Sequence, residues 1–556
     1  MICGSGLRWQ RVKMKDTDNN LFYAAIAAIV LFAACLPLFT VNCIGGHDIV
    51  YHLLRIESLK EAILSGRPFL RINMLFFGGM GYASSLFYPD FLLYFPALLR
   101  VFGAGINLSY HLFIALCIIA GFASSFYCAR HISKNNYAAL VTAVVFTLYQ
   151  YHIDDIYTRS AVGEFTAVIF VPFVIAGLYD LIFEEYRHPW FLFAGMTGVL
   201  LCHTITTVIC VGLCVLAVLA DIRGMIKTPV KLLKLFLTAA LVLGVTAFYW
   251  LPVLEMILTG TFSSDFTYDA AFEAAKLWEL FDNEYNRMGI VIFLLLLIGF
   301  TIKKRQRFAT LCIIAGLLIT LCATGLFPWK RVSFLLGFIQ FPWRLFVVTG
   351  PLLAFGEGIY IAELAEELSE NNEAGFYIQR IILIAVTALM LVSAVSNLER
   401  NTEKYYSYSA DYFDYAPFTD HVIGGEWLPV TVDNREGLVE QSESALTDAG
   451  EELPVTRNKN ELSVYDIPAD TVYVDVPFVY YKGYAAKDNK TGAELAVTSE
   501  GRNGCVRVYI NGAQEIRVYY RGTALQHVSD FISAGTMAGI ALYLVAALRR
   551  RKKEEA

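Results

Sequence analysis

The chain has 556 residues, of which 56% are hydrophobic and only 17% charged, and its mean hydropathy is +0.52. A soluble domain carries roughly a quarter charged residues, so this much apolar surface excludes a water-soluble globule and implies a polytopic membrane protein. The net charge of -6 excludes a generally basic nucleic-acid binder, and the 11 cysteines, placed mostly inside apolar runs, build no disulfide framework.

At the start, Arg8, Arg11, Lys13 and Lys15 precede an apolar stretch from Leu21 to Val41. No small-residue cleavage site follows, so this reads as a first membrane helix and not as a cleaved signal. Further apolar runs fall near 108–129, 137–150, 162–183, 190–203, 205–220, 232–254, 288–302, 308–325, 345–361, 378–397 and 527–548, giving about twelve spans. Arg130 and Lys134, the run from Arg223 to Lys234, the run from Lys303 to Arg307 and the tail Arg549–Lys553 then share one side with the N-terminus. By the positive-inside rule that side is cytoplasmic, and both termini lie there. The opposite side receives a long first loop at 42–107, loops at 151–161 and 255–287, and a region at 398–526.

The first loop carries two amphipathic pieces, Ile49–Leu64 and Phe91–Val101, expected to lie at the outer interface. The 398–526 region alternates like strand at 472–476, 506–510 and 516–520, with Asn511-Gly512 as the turn between the last two. It is expected to form a small β-rich domain outside the membrane. The transmembrane module then covers 1–397, and 527–556 is the last helix with a basic cytoplasmic tail.

The chemistry-bearing residues cluster at the outer edge. Gly45-Gly46-His47-Asp48 opens the first loop, and a helix from there puts Asp48, His52 and Arg55 on one face. Asp48 suits a general base toward a hydroxyl or a metal ligand, and Arg55 suits a phosphate. An Asp after Gly-Gly and before an apolar helix is equally an N-cap, and the two roles are compatible. The second loop offers His152, Asp154, Asp155, Arg159 and Glu164, and its paired carboxylates suit divalent-metal or acid–base work as well as a merely solvated boundary. His203 sits at an outer turn between two spans, as a functional group or as a satisfied core histidine. Phe341-Pro342-Trp343-Arg344 re-enters the membrane, where a helix N-terminus beside an arginine favours a lipid phosphate. The same segment also reads as an aromatic anchor with a snorkelling arginine. There is no P-loop, no GxGxxG, no HExxH and no CxxC pair.

A first span followed by an acidic outer loop, interfacial helices and many further spans resembles the GT-C superclass of membrane glycosyltransferases. His47-Asp48 with Phe87-Tyr88-Pro89, the Phe341–Arg344 segment and Gly424-Gly425-Glu426-Trp427-Leu428-Pro429 look like one bacterial branch. That branch is the 6-pyruvoyl-tetrahydropterin-synthase-related membrane proteins, similar to the lipoteichoic-acid-glycosylating membrane proteins. Phe478–Tyr484 and Tyr519–Thr523 resemble it too. The resemblance implies transfer of a sugar from a polyprenyl-phosphate carrier to a cell-envelope glycopolymer or glycolipid outside a bacterial cytoplasmic membrane. It implies Asp48 as catalytic base and a β-rich domain that helps bind the acceptor. His47, His52, Arg55, Arg159, His203 and Arg344 are the expected substrate-binding groups. Asp154 or Asp155 takes the place where some members bind a divalent ion, Mg or Mn. A transporter or flippase of a lipid-linked precursor, and a non-catalytic envelope assembly factor, are the competing readings. A transporter places its charged groups at the bilayer midplane, and these lie at the edge.

Overall fold

The computed structural model describes residues 4–40, 43–44, 46–263, 269–370, 374–402, 407–408 and 425–554. Gly45, Gly424 and most of 403–424 lie outside the described residues, as do the side chains of Arg8, Arg11, Lys13, Lys15 and Cys43.

Each apolar run expected to span is helical in whole or in part. Among the described residues, five helices are long and apolar enough to cross a membrane: Ile106–Ser133, Val162–Phe183, Pro342–Ser369, Gly375–Arg400 and Ala524–Arg550. Several others, such as Asn136–Leu148 and Trp190–Leu200, are apolar but shorter. The run at 232–254, expected as one span, is a bent pair: Pro229–Val245 and Ala247–Thr259 meet at 76°. The bend is satisfied from far away in sequence. The Phe248 N–H donates to Ser533 Oγ at 2.8 Å, and Arg71 donates to the Phe248 carbonyl at 2.9 Å.

The helices are not equivalent. Asn136–Leu148 and Phe346–Ser369 sit at the centre of the bundle and are buried nearly all round. The helices at its margin leave apolar side chains outward: Val215, Leu216, Leu233, Phe236, Phe531 and Leu542 are all more than half exposed. A soluble protein does not leave such a surface wet, so this is a membrane protein whose outer helices face lipid.

Among the described residues a two-residue ladder pairs Cys43–Ile44 with Ser407–Tyr408, and the other strands form a nine-stranded sheet, named here in chain order: β1 Ser444–Thr447, β2 Glu452–Asn458, β3 Glu461–Val464, β4 Tyr473–Val479, β5 Tyr484–Asp488, β6 Glu494–Leu495, β7 Val497–Thr498, β8 Cys505–Tyr509 and β9 Ile516–Tyr520. Their order across the sheet is β6-β5-β9-β3-β2-β1-β4-β8-β7. Asn511 and Gly512 do turn, with φ of +49° and +84°. The strands they join do not pair with each other, however: β8 pairs with β4 and β7, and β9 with β3 and β5.

The first loop departs most from expectation. The helix over Ile49–Leu64 does not float on an interface. Ile49, Leu53, Ile56 and Leu59 pack into the bundle core, while Leu54 joins Phe76, Phe77 and Met80 in a second core with Val474, Val506 and Val518 of the sheet. Loop and sheet thus share one apolar interior.

Candidate active site

Two loops meet first. The N–H groups of His47 and Asp48 donate to the carbonyls of Thr158 and Arg159 at 3.2 and 3.0 Å, which fixes the start of the first loop against the second. The approach is so close that a Cβ on Gly46 would lie 2.3 Å from Ser160 Oγ and 2.7 Å from its N, so only glycine fits there.

A cavity of about 670 Å³ opens at this junction. His47, Asp48, His52, Arg159, His203 and Arg344, six of the nine residues singled out from sequence, line it. They come from four distant stretches of chain. Asp48 is the N-cap residue of the helix over Ile49–Leu64, yet its carboxylate makes no capping hydrogen bond. Burial pushes that carboxyl up to about 6, against the pull of the Arg159 and Arg344 guanidiniums. His203 accepts from the Thr206 N–H through Nδ1 at 3.3 Å, so its neutral form carries the proton on Nε2. Burial holds it neutral, at about 4.

In the cavity wall lies a charged hub whose carboxylate, Glu164, the sequence reading left out of its site. Glu164, almost fully buried, accepts from Arg159 Nη1 and Nη2 at 2.9 and 3.0 Å. It also accepts from Arg344 Nε at 3.0 Å and from Tyr151 Oη at 2.8 Å. One carboxylate therefore orients both arginines, a fork-to-fork arrangement with planar specificity. Arg344 also donates from Nη1 to the Ile339 carbonyl and to Gln340 Oε1, which leaves Nη2 uncommitted. Gln340 is held at φ +64°, a strained backbone for a side chain of this kind. The Trp343 ring lies 4.4 Å from the Arg159 guanidinium and stacks on Phe341. Gly163 admits the Tyr88 hydroxyl beside this hub, where a Cβ would meet it at 2.2 Å.

Three expected residues do not reach the cavity. Arg55 is buried and turned away: it donates to Asp90 Oδ1 from Nε at 3.0 Å and to the Pro89 carbonyl from Nη2 at 2.7 Å. It thereby holds the Tyr88–Asp90 turn against His52, whose Nδ1 lies 3.1 Å from its Nη1. Asp155 is fully buried and ion-paired with Arg159, and Asp154 is fully buried on the same short helix, Gln150–Tyr157. Asp155 meets Arg159 through Oδ1 alone, but neither carboxylate lines the cavity, so this pair does not fit a metal ion facing substrate there. Among the described residues, the cavity holds no trio of His, Cys, Asp or Glu grouped tightly enough to share one ion.

The cavity also takes Glu426 and Trp427 from the segment ahead of the sheet. Trp427 stacks on Phe87 with ring centroids 5.8 Å apart and meets Tyr51, Tyr82 and Tyr88. Burial and the neighbouring Asp48 charge raise the Glu426 carboxyl. The opposite wall is apolar. Val253 and Ile257 belong to the helix Ala247–Thr259, and Ile257 lines the cavity while remaining 58% exposed. Glu426 and Trp427 carried a signal in the Gly425–Pro429 motif. Glu164 carried little, since it sits at the mouth of an apolar run and reads as a boundary charge.

No family model matches the chain. It is 23% identical, over 95% of its length, to an uncharacterized protein of Lactococcus lactis subsp. cremoris (strain MG1363), of which 94% is covered. Among solved structures it is similar to arabinofuranosyltransferase AftD from Mycobacteria, with 15% identity, 67% of this chain and 26% of that chain covered, and a TM-score of 0.44. It is similar also to ArnT from Cupriavidus metallidurans bound to undecaprenyl phosphate, with 15% identity, 69% and 76% covered, and a TM-score of 0.42. A third is the archaeal oligosaccharyltransferase AglB from Archaeoglobus fulgidus, with 10% identity, 70% and 56% covered, and a TM-score of 0.39. The chain spans about a quarter of the length of the AftD structure it matches.

Proposed function

We propose that the chain is a membrane glycosyltransferase that moves a sugar from a polyprenyl-phosphate carrier to an acceptor of the bacterial cell envelope. One observation carries this reading. A carboxylate with no structural partner, Asp48, lines the same aromatic-walled cavity as two oriented arginines.

The reaction needs a base, a holder for the leaving phosphate and a groove for the prenyl chain. An acceptor hydroxyl gives its proton to Asp48 as its oxygen bonds to the anomeric carbon. The bond from that carbon to the phosphate oxygen breaks, and polyprenyl phosphate leaves. Arg344 offers its uncommitted Nη2 to the departing phosphate, and Glu164 keeps that guanidinium in place. Trp427, Tyr88 and Trp343 supply flat apolar faces for sugar rings. Ile257 and Val253 lead the prenyl chain in from the lipid side. Glu426, from the segment ahead of the sheet, faces the acceptor.

The test is transfer of labelled sugar from a polyprenyl-phosphate donor in reconstituted membranes. Asp48→Asn should retain folding and lose transfer by roughly 10²- to 10⁴-fold, the usual worth of a positioned general base. Full transfer in that variant would remove the assignment.

A further inference from the structure

At the other end of the bundle three side chains from separate elements converge. His131 ends the helix Ile106–Ser133, Asp180 lies near the end of the helix Val171–Phe183, and His188 is in the connection to the helix Trp190–Leu200. Each offers one ligand atom, and the three atoms lie within 4.8 Å of one another. Asp180 is fully buried. Its Oδ2 accepts from the His188 N–H at 2.6 Å, and its Oδ1 lies 2.9 Å from His188 Nδ1. The imidazoles of His131 and His188 stand 5.2 Å apart and nearly perpendicular, at 84°. His131 Nε2 is buried and has no hydrogen-bond partner. A buried ring nitrogen without a partner beside a buried carboxylate is costly as a mere packing feature.

We propose that His131, Asp180 and His188 bind a divalent ion of the borderline transition class, Zn²⁺. Two imidazoles and one carboxylate are a donor set for zinc and its neighbours, not for Mg²⁺ or Ca²⁺, which take oxygen. Ligands at about 2.0–2.2 Å from zinc require the three groups to draw slightly closer. His188 supplies that freedom, because its side chain is 47% exposed while Asp180 is fixed. Binding displaces the proton shared by His188 and Asp180, and a fourth position remains for water. Phe191, 4.4 Å from the His131 ring, walls the apolar side.

The site is independent of the proposed transfer chemistry. Asp180 follows Glu164 by 16 residues along the Val162–Phe183 segment, about 24 Å at 1.5 Å per residue. Zinc here ties the ends of two helices to the connection that follows them, and the exposed His188 leaves the ion in exchange with solvent.

The experiment uses the full chain in detergent, stripped with a chelator and then equilibrated with Zn²⁺ alone. Elemental analysis should give one zinc per chain. X-ray absorption should show two imidazole nitrogens and one or two oxygens at about 2.0–2.2 Å. His188→Ala and His131→Gln should each weaken binding by about 10-fold or more and abolish the zinc-induced rise in the unfolding midpoint. Asp48→Asn should bind zinc like the parent, which excludes the cavity carboxylate as a ligand. Equal unfolding midpoints of parent and variants in chelator separate ligand loss from misfolding. No zinc above the buffer blank, or full occupancy in either histidine variant, overturns the site.

Discussion

Asp48 occupies the N-cap position of a helix whose first turn it does not cap with its side chain. Two consequences follow from the enclosure that lifts its carboxyl to about 6. A carboxyl with a raised pKa binds its proton more tightly in the folded protein than in the unfolded chain. The stability tied to that proton is therefore present at pH 4 and lost as pH rises through about 6. The base form appears over the same range, so the kcat/KM of transfer should rise about tenfold per pH unit below pH 6 and level off above it. Asn imitates the protonated acid and cannot ionise. Asp48→Asn should therefore raise the unfolding midpoint at pH 8, leave it unchanged at pH 4, and erase the acidic limb of the rate profile. A midpoint that falls at both pH values would mean that the carboxylate holds structure after all.

At the scale of elements, the second loop is a short buried helix and a turn whose Asp155 and Glu164 share the Arg159 guanidinium inside the protein. Glu164 is the member that the others depend on. Glu164→Gln keeps the shape but leaves Arg159 and Arg344 short of an anion in a buried place. Breaking one side of such a cluster costs roughly 3–5 kcal/mol, which chemical unfolding in detergent would read. Arg344→Lys is the milder companion. It keeps the charge but loses the Nε bond to Glu164 and the contact with the Phe341 ring, 5.0 Å from the guanidinium. Donor KM should rise about 10-fold or more, with little change in the unfolding midpoint. This hub was only half legible in the sequence. Asp48, Arg159, His203 and Arg344 announce themselves as polar groups at the edges of apolar runs. Which carboxylate joins the arginines does not, because Asp154, Asp155 and Glu164 look alike until the turn at Ser160, with φ +52°, folds Glu164 back onto Arg159. The bend at Thr246 was hidden for a similar reason, since its backbone groups find partners 177 and 285 residues away.

Across the whole molecule, the helix positions and three strands were readable because apolar period and length are local properties. The strand order and the core shared by first loop and sheet were not, because Leu54, Phe76 and Met80 meet Val474 and Val506 only after long-range folding. That shared core gives the molecule a direction. The cavity, Trp427 and the sheet occupy one end, and Arg344 starts a central helix there. Its far end, at Glu366 and Glu367, accepts hydrogen bonds from the Asn135 side chain at 2.8 Å and from the Lys303 and Lys304 backbone at 2.9 and 3.2 Å. Glu366 lies 22 residues beyond Arg344, about 33 Å at 1.5 Å per residue, roughly a bilayer core. The basic loops at 130–134 and 303–307 therefore gather at the end opposite the sheet, the end that we propose to be cytoplasmic on the positive-inside rule. Val430, 49% exposed beside the cavity segment, offers a clean reporter. Val430→Cys should react with a membrane-impermeant thiol reagent on intact cells, and Lys303→Cys only after permeabilisation. The reverse pattern would place the cavity in the cytoplasm, where an envelope acceptor cannot reach Asp48, and the proposed transfer would fall with it.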